Sequence, residues 1–264
     1  MTQRYFEGSW AIVLGASSGF GAAVCKSLAR SGMNIIGIHL DRKATLENVK
    51  VLEQELNAQD VKTKFYNVNA ADETKRIEIL NEISAECAGK IQVLFHSLAF
   101  GSLLPFIEND PKNRLSKSQL EMTLDVMANS LVYWSQDLAT KNFFKEGASI
   151  YAMTSAGSSR VWKSYGAVSA AKSALESHCR QLALELAPRK VRVNALLAGV
   201  TDTPALRKIP GNDGMIETAK KRNPMGRLTT PEDVAQATVA LSLPQLAFMT
   251  GNVINIDGGE NIVE

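Results

Sequence analysis

The sequence contains few cysteines, few histidines and no strong excess of charge. Among 264 residues there are three cysteines and three histidines, and Cys25, Cys87 and Cys179 lie far apart with no CxxC pair. This spacing excludes a zinc-ribbon type of metal site and gives no disulfide framework, so we expect reduced thiols and no metal. The formal net charge of +2 argues against a general nucleic-acid-binding protein.

Long apolar runs are also missing. No stretch approaches the ~20 apolar residues that a membrane helix needs, and the first residues lack the apolar segment and cleavage site of a signal peptide. Hydrophobic residues make up 45% and charged residues 21% of the sequence, as in ordinary globular proteins. We therefore expect a soluble, cytoplasmic protein with one domain over residues 1–264.

Short apolar runs alternate with longer amphipathic stretches. The candidate strands are WAIVLG, MNIIGIHL, VKTKFYNV, IQVLFHSLA, ASIYAMTS, VRVNALLAG and NVINIDGG. Strands separated by helical segments form parallel sheets that helices cover on both faces. The pattern predicts an α/β fold, a Rossmann-like doubly wound parallel sheet of about seven strands in a single domain.

Two longer segments interrupt this alternation, residues 101–118 after the fourth candidate strand and residues 201–227 after the sixth. Ligands of such sheets bind beyond the carboxyl ends of the strands, where long insertions often contact substrate. We expect residues 201–227 to form a substrate loop or lid, with a plain surface loop as the alternative.

The first candidate strand runs into a glycine-rich turn, GASSGFG. Its glycines follow the spacing G-x3-G-x-G, and positions without a Cβ atom let backbone amides approach a pyrophosphate at a helix N-terminus. The turn therefore predicts a dinucleotide site. Its candidate cofactor contacts are Gly15, Ser17, Ser18, Gly19, Phe20 and Gly21.

The end of the second candidate strand carries the charges that distinguish NADH from NADPH. A carboxylate there accepts a hydrogen bond from the ribose 2′-hydroxyl, whereas an arginine accommodates a 2′-phosphate. Asp41 and Arg42 are both present, and Lys43 follows. His39 occupies the position, two residues before Asp41, where an acidic residue often selects NAD. The balance favours NADPH, with NADH as the alternative; a merely solvated loop is the remaining interpretation.

Two further strand ends supply candidate cofactor contacts. Asn67 and Val68 end the third candidate strand, where a polar side chain and a backbone amide could meet the adenine. The end of the fourth would allow close approach of the backbone to the cofactor. Its residues are Ser97, Leu98 and Ala99.

Tyr165 precedes Lys172 by seven residues in SYGAVSAAKSALESHCRQ, which has a helical pattern. Seven residues make about two helical turns, so the two side chains would share one face. Since a nearby ammonium favours the phenolate, we expect Lys172 to lower the pKa of Tyr165 toward working pH for proton donation. Taken alone, such a pair is more often a half-buried tyrosine beside a solvated lysine, without a catalytic role.

Together these motifs resemble the short-chain dehydrogenase/reductase superfamily over essentially the whole chain. The likeness is carried by GASSGFG, the NV at residues 67–68, VRVNALLAGVTDT and the closing segment RLTTPEDVAQ to INIDGG. The superfamily usually has Y-x3-K, but Val168 holds that tyrosine position here and Tyr165 makes a Y-x6-K motif. With HSLAFG in place of NNAG and LAG in place of PG, the chain is most similar to bacterial enoyl-acyl-carrier-protein reductases, in their NADPH-using branch.

The resemblance implies reduction of trans-2-enoyl thioesters in fatty-acid biosynthesis, with hydride from NAD(P)H added to the β-carbon. Tyr165 would protonate the enolate oxygen, and Lys172 would bind the nicotinamide ribose. A phenol moved by three helical residues shifts ~4.5 Å, which suits an oxygen further from the hydride acceptor than in a ketone. Ser155 either bonds the thioester oxygen or only ends the fifth strand. Further implied cofactor contacts are Val200, Thr201 and Thr203.

The resemblance also implies a homotetramer and docking of acidic acyl carrier protein on a basic lid, for which a solvated helix face is the alternative. The basic lid residues are Arg207, Lys208, Lys220, Lys221 and Arg222.

Two other functions stay open: another short-chain carbonyl or hydroxyl oxidoreductase, such as a 3-ketoacyl reductase, and a non-catalytic dinucleotide sensor. Met127, where many ketone reductases carry asparagine, disfavours the first, and retention of both Tyr165 and Lys172 disfavours the second. His96 and His178 are expected to be structural.

Overall fold

Seven parallel strands form one sheet in the computed structural model, which describes residues 4–263. The strand order is β3-β2-β1-β4-β5-β6-β7, which confirms the predicted doubly wound sheet. Each candidate strand forms, and the fifth begins four residues earlier than its apolar run. The strands are β1 (Trp10–Leu14), β2 (Asn34–His39), β3 (Thr63–Asn67), β4 (Ile91–His96), β5 (Phe144–Thr154), β6 (Arg192–Ala198) and β7 (Val253–Ile256).

Helices cover both faces of the sheet. They are α1 (Gly19–Arg30), α2 (Leu46–Asn57), α3 (Glu73–Cys87), α4 (Lys117–Leu124), α5 (Ser130–Thr140), α6 (Gly166–Leu186), α7 (Asn212–Arg222) and α8 (Pro231–Leu241). A π-helical turn, Asp125–Asn129, joins α4 to α5. Among residues 4–263, no helix combines the length and apolar character that crossing a membrane requires.

The alternation of side chains along β1 explains the two-sided core. Ile12 and Leu14 point into a cluster with α3, α5 and α6, whereas Ala11 and Val13 point into a second cluster with α1 and α8. A strand buried on both faces has to be apolar at every position, which is why WAIVL reads as a continuous run. The β1 strand is thereby fixed at the centre of the sheet.

The chain leaves β1 toward β2 and later returns beside β1 as β4, so a crevice opens beyond the carboxyl ends of these two strands. The Ser97 amide donates to the Leu14 carbonyl oxygen at 2.8 Å and holds the two strand ends together. The predicted lid, residues 201–227, carries a short 3₁₀ turn at Leu206–Lys208 and the helix α7.

Candidate active site

A cavity of about 700 Å³ lies beyond the carboxyl ends of the central strands. It is bounded by the glycine-rich turn, four strand ends, the start of α6 and the lid, so the structure brings distant segments together as predicted. The predicted site residues that line it are Gly15, Ser17, Ser18, Gly19, Phe20, Val68, Ser97, Leu98, Ala99, Ser155, Tyr165, Lys172, Val200, Thr201 and Thr203. Those outside its lining are Gly21, Asp41, Arg42 and Asn67.

The glycine-rich turn is packed too tightly for side chains. Gly15 has φ +88°, and a Cβ atom on it would lie 2.3 Å from the Ser97 carbonyl oxygen. A Cβ atom on Gly21 would lie 2.0 Å from the Gly15 carbonyl oxygen, so Gly21 seats α1 beneath the turn and does not reach the cavity. Both glycines act through close backbone packing.

The start of α1 suits an anionic ligand. Within residues 4–263, the Ser18 side chain makes no capping hydrogen bond to the first amides of α1. The first turn of the helix also carries no acidic residue. The first amides of a helix have no partner within it and lie at the positive end of its dipole. Since Ser17, Ser18 and Gly19 line the cavity, these residues fit the pyrophosphate of a dinucleotide.

Asp41 is held in place at the end of β2. Burial alone would raise the pKa of Asp41, but hydrogen bonds with Thr45, Ser17 and His39 together lower it below its usual value. The His39 Nδ1 atom lies 3.0 Å from the carboxylate. Asn67 exchanges two bonds with the Asp41 backbone, at 2.8 and 3.0 Å. The Asn67 side chain, which was expected to meet an adenine, is therefore hydrogen-bonded to the backbone after β2. The lowered pKa keeps Asp41 an anion at neutral pH.

Tyr165 lies immediately before α6 and not on it, which corrects the expected helical position. Its backbone has φ −98° and ψ 1°, and its carbonyl oxygen accepts the first bond of the helix from the Ser169 amide at 2.8 Å. The ring packs closely on Gly157, where a Cβ atom would lie 2.5 Å from a ring carbon. The phenol is therefore fixed by the loop that precedes α6 as much as by the helix.

The expected effect of Lys172 on the phenol is wrong. Burial raises the pKa of Tyr165, only the Ser155 hydroxyl opposes the shift, and Lys172 makes no contribution. The Lys172 ammonium donates to the Met153 carbonyl oxygen at 2.7 Å. Tyr165 accordingly stays protonated at neutral pH, which suits a proton donor.

Ser155 faces the same space as the phenol. Its Oγ atom is buried and lies close enough to the Tyr165 phenol to oppose the rise of the phenol pKa, but it completes no hydrogen bond of ordinary geometry with the residues between 4 and 263. A buried polar group without a partner costs ~1–3 kcal/mol, so a ligand oxygen placed there would be stabilised. Tyr165 and Ser155 can thus present two hydroxyl groups to one substrate oxygen.

Lys172 is 6% exposed, and burial lowers its pKa to about 8, although Cys179 and Glu176 oppose the shift. The Thr154 hydroxyl donates to Glu176 at 2.6 Å and holds this carboxylate near the end of β5. The ammonium is therefore charged at neutral pH and loses its proton as the pH rises through about 8.

We expect cofactor binding to weaken as the pH rises through about 8, because Lys172 then loses the positive charge that, as the family resemblance implies, would hold the nicotinamide ribose. Binding titrations followed by nucleotide fluorescence between pH 6 and 10 measure this. Lys172→Met should bind more weakly and without this inflection. Lys190→Met removes an exposed lysine and should keep it; an inflection that survives in Lys172→Met would contradict the assignment.

His96 and His178 have structural partners. His96 is fully buried, its Nε2 atom lies 2.9 Å from the Ser130 hydroxyl, and burial lowers the pKa of His96 to about 3. His178 lies 3.1 Å from the Asn129 side chain. Both bonds attach to the π-helical turn or its end, which places Met127 at the cavity wall. Met127 is therefore a buried apolar part of the cavity wall.

Residues 15–261 match a family model described as enoyl-(acyl carrier protein) reductase. The chain belongs to this family of short-chain dehydrogenases/reductases. The oxidoreductase class and its NAD(P) cofactors follow from the family, whereas the individual substrate does not.

Curated relatives of this reductase family differ in reaction and cofactor. The chain is 26% identical to an NADPH-dependent enoyl-acyl-carrier-protein reductase of Staphylococcus aureus, over 91% of each chain. It is also 26% identical to a 3-oxoacyl-acyl-carrier-protein reductase of Thermotoga maritima, over 96% of this chain and 98% of the other. An NADH-dependent enoyl reductase structure from Aquifex aeolicus superposes with a TM-score of 0.83 at 23% identity, over 97% and 98% of the two chains. This superposition shows the shared fold.

Two of the five basic residues predicted to dock a partner on residues 201–227 already form ion pairs. Arg207 pairs with Asp202 at 2.6 Å and with Asp213 at 3.0 Å, and Arg222 pairs with the buried Glu260 at 3.3 Å. Of the five predicted docking cations, three have no ion pair within the described residues. They are Lys208, Lys220 and Lys221.

Two cavity features were missed by sequence reasoning. Glu260 enters the lining from the C-terminal turn, and Trp162 enters from the loop before α6. A single acid after the final strand has no spacing pattern that indicates a site, so no sequence signal identifies Glu260. The motif RVWKSYG contains an exposed aromatic residue three positions before Tyr165, and this proximity could have indicated Trp162.

Proposed function

We propose that this protein reduces the carbon–carbon double bond of trans-2-enoyl thioesters with NAD(P)H, in fatty-acid biosynthesis. The observation that carries the proposal is the position of the phenol. Tyr165 supplies the hydroxyl at the cavity, while Val168, four residues before Lys172, is buried and apolar. The family description and the enoyl-reducing relatives support the same reaction.

The residues of the cavity have distinct roles in this reaction. A bound nicotinamide cofactor supplies the hydride for the β-carbon. Tyr165 hydrogen-bonds the thioester oxygen, stabilises the negative charge that develops there and gives up its proton. Ser155 donates a second hydrogen bond to that oxygen, and the Lys172 ammonium holds the ribose. Met127 and Val168 keep water from the reacting carbons.

NADPH is the proposed cofactor, with NADH as the alternative. Arg42 and Lys43 are exposed beside the β2 end and attract a 2′-phosphate, whereas the anionic Asp41 repels it. The anion therefore limits the preference for NADPH without preventing NADPH from binding.

Replacing Asp41 with asparagine should raise kcat/KM for NADPH relative to NADH about tenfold, because a like charge is removed near the 2′-phosphate while the bonds to the Asp41 backbone remain. Steady-state kinetics with both cofactors measure the ratio. Glu47→Gln changes the same charge on the exposed face of α2 and should leave the ratio unchanged. A ratio that moves toward NADH in Asp41→Asn would contradict this account.

A 3-ketoacyl thioester reductase is the second candidate. Ser155 favours it, because a buried serine hydroxyl beside a tyrosine also suits the polarisation of a ketone. The Thermotoga maritima relative is named for such a reaction. The position of the phenol and the apolar Met127 disfavour this candidate.

Initial rates of NAD(P)H oxidation with crotonyl and longer enoyl thioesters, 3-ketoacyl thioesters and simple ketones test the proposal. We expect the enoyl thioesters to have the highest kcat/KM. Turnover of ketones alone would refute the proposal in favour of a carbonyl reductase. Nucleotide binding without turnover of any substrate would indicate a dinucleotide sensor.

Acyl carrier protein is the proposed carrier of the substrate, and Lys208, Lys220 and Lys221 are its proposed contacts. We also propose a cytoplasmic homotetramer. The edge strand β7 with its exposed Val253, together with the fully exposed Phe248, offers apolar surface that another subunit would cover. Light scattering of the purified protein measures the subunit number.

A further inference from the structure

The C-terminal turn carries a buried acid that the proposed reaction does not use. Glu260 begins the short 3₁₀ turn after β7 and is only 5% exposed, although it lines the cavity. Its Oε2 atom accepts a hydrogen bond from the Val200 amide at 2.9 Å, and its Oε1 atom accepts one from Arg222 Nη2 at 3.3 Å. One carboxylate therefore joins the turn after β6 to the last residue of the lid helix α7.

The turn that presents this carboxylate is itself well fixed. The Asp257 side chain accepts from the Gly259 amide at 3.0 Å and from the Asn261 amide at 2.9 Å. Asn223 donates to the Asp257 carbonyl oxygen at 2.8 Å, and Arg160 donates to the Asn261 carbonyl oxygen at 2.8 Å. The C-terminal turn is thus a rigid support that also reaches the loop before α6.

On one side, Glu260 fixes the backbone at the end of β6. Gly199 leaves room for the carboxylate, because a Cβ atom there would lie 2.7 Å from Glu260 Oε2 and 2.5 Å from Thr229 Oγ1. The following residues Val200, Thr201 and Thr203 line the cavity. They are cofactor contacts that the family resemblance implies, and Thr201 and Thr203 would meet the nicotinamide amide or the pyrophosphate. A shift of the carboxylate would move this backbone directly.

On the other side, Glu260 holds the end of α7. The Nε atom of Arg222 is buried and has no partner among residues 4–263, so the guanidinium relies on Glu260. The chain just before the start of α7 is held by Trp162, whose indole nitrogen donates to the Pro210 carbonyl oxygen at 3.1 Å. Breaking the Arg222–Glu260 pair would leave buried charge without a partner and would favour an open lid.

We propose that Glu260 is a positioning residue that couples closure of the lid to the shape of the nicotinamide end of the cavity. With the pair intact, α7 and the turn after β6 are held against the same carboxylate. Cofactor binding and lid closure then favour each other. The inference rests on the proposed dinucleotide site, and it does not depend on which substrate is reduced.

Trp162 provides a direct readout of the lid. The protein has three tryptophans, and Trp10 and Trp134 are 2% and 0% exposed, while Trp162 is 44% exposed beside the lid. Acrylamide quenching of tryptophan fluorescence therefore reports mainly on Trp162. In the wild-type protein, added NAD(P)H should reduce quenching as the lid closes.

The test compares Glu260→Gln with Glu146→Gln, which breaks an exposed ion pair with Lys190. Glu260→Gln keeps the size of the side chain and an acceptor for the Val200 amide but loses the charge. We expect its cofactor Kd to rise about tenfold, and its quenching to stay high when cofactor is added. Glu146→Gln should behave as wild type; the same behaviour in Glu260→Gln would overturn the proposal.

Arg222→Gln tests the same pair from the lid side and serves if Glu260→Gln does not fold, as judged by circular dichroism. The variant with both substitutions should bind cofactor no more weakly than whichever single variant binds it less tightly, because the two substitutions break the same ion pair. Fully additive losses would overturn the proposal. Both readouts use cofactor alone, so a protein that reduces ketones and not enoyl thioesters would refute the proposed function and leave this inference intact.

Discussion

Replacing Tyr165 with phenylalanine should lower kcat for an enoyl thioester by about 10²–10⁴-fold, the usual contribution of a positioned proton donor. Phenylalanine keeps the ring that packs on Gly157 and removes only the hydroxyl. The proposed cofactor contacts do not include this hydroxyl, so the Kd for NAD(P)H should change little. Steady-state kinetics and a binding titration on the same preparation measure the two effects.

Tyr5→Phe is the matched control, because Tyr5 is exposed and lies outside the cavity. It should leave both kcat and cofactor binding at their wild-type values. Equal losses of kcat and cofactor affinity in Tyr165→Phe would show that the ring holds the fold of the site and does not donate a proton.

Replacing Gly15 with alanine should destabilise the protein and weaken cofactor binding together. The new Cβ atom would lie 2.3 Å from the Ser97 carbonyl oxygen, at a residue with φ +88°. Backbone strain and overpacking each cost ~1–3 kcal/mol, so the free energy of unfolding should fall by at least about 2 kcal/mol. Urea unfolding measures this loss. The Kd for NAD(P)H should rise at least about tenfold, because relief of the clash would move the turn or the end of β4.

Gly147→Ala separates strain from crowding. Gly147 also has a positive φ, +79°, but a Cβ atom on it would meet no atom within 4 Å. Its substitution should cost about 1 kcal/mol and leave cofactor binding unchanged, since it lies outside the cavity. If Gly15→Ala bound cofactor as tightly as Gly147→Ala, the close approach of Gly15 to Ser97 would have no role in the site.

The sheet could be predicted from the sequence because its central strands are local apolar runs buried on both faces, while the edge strands β3 and β7 keep the same alternation with helices although they are partly exposed. The glycine-rich turn and Asp41 could also be placed, since the turn directly follows β1 and Asp41 lies two residues after the end of β2. The position of Tyr165 was predicted less well. A helical pattern does not specify its first residue, and Ser164, with φ +62°, turns the chain just before the tyrosine.

Electrostatic details could not be predicted from spacing. The Lys172 ammonium turns to the Met153 carbonyl oxygen, which belongs to β5 and comes near only in the folded sheet. Arg207 forms ion pairs with Asp202 and Asp213, and Arg222 forms one with Glu260. The sequence did not indicate these pairs. For Lys172 and Arg222, burial and partners distant in sequence determine the contacts of the charged group, and neither is visible in a local motif.

The most direct test of the central claim is the position of a label in the product. Crotonyl and acetoacetyl thioesters are offered together with NAD(P)H deuterated at the reactive C4 position, and the products are analysed by mass spectrometry and NMR. We predict that a butyryl thioester with deuterium on the β-carbon is the main product. A 3-hydroxybutyryl thioester with deuterium on its hydroxyl-bearing carbon, and no labelled butyryl product, would contradict the claim.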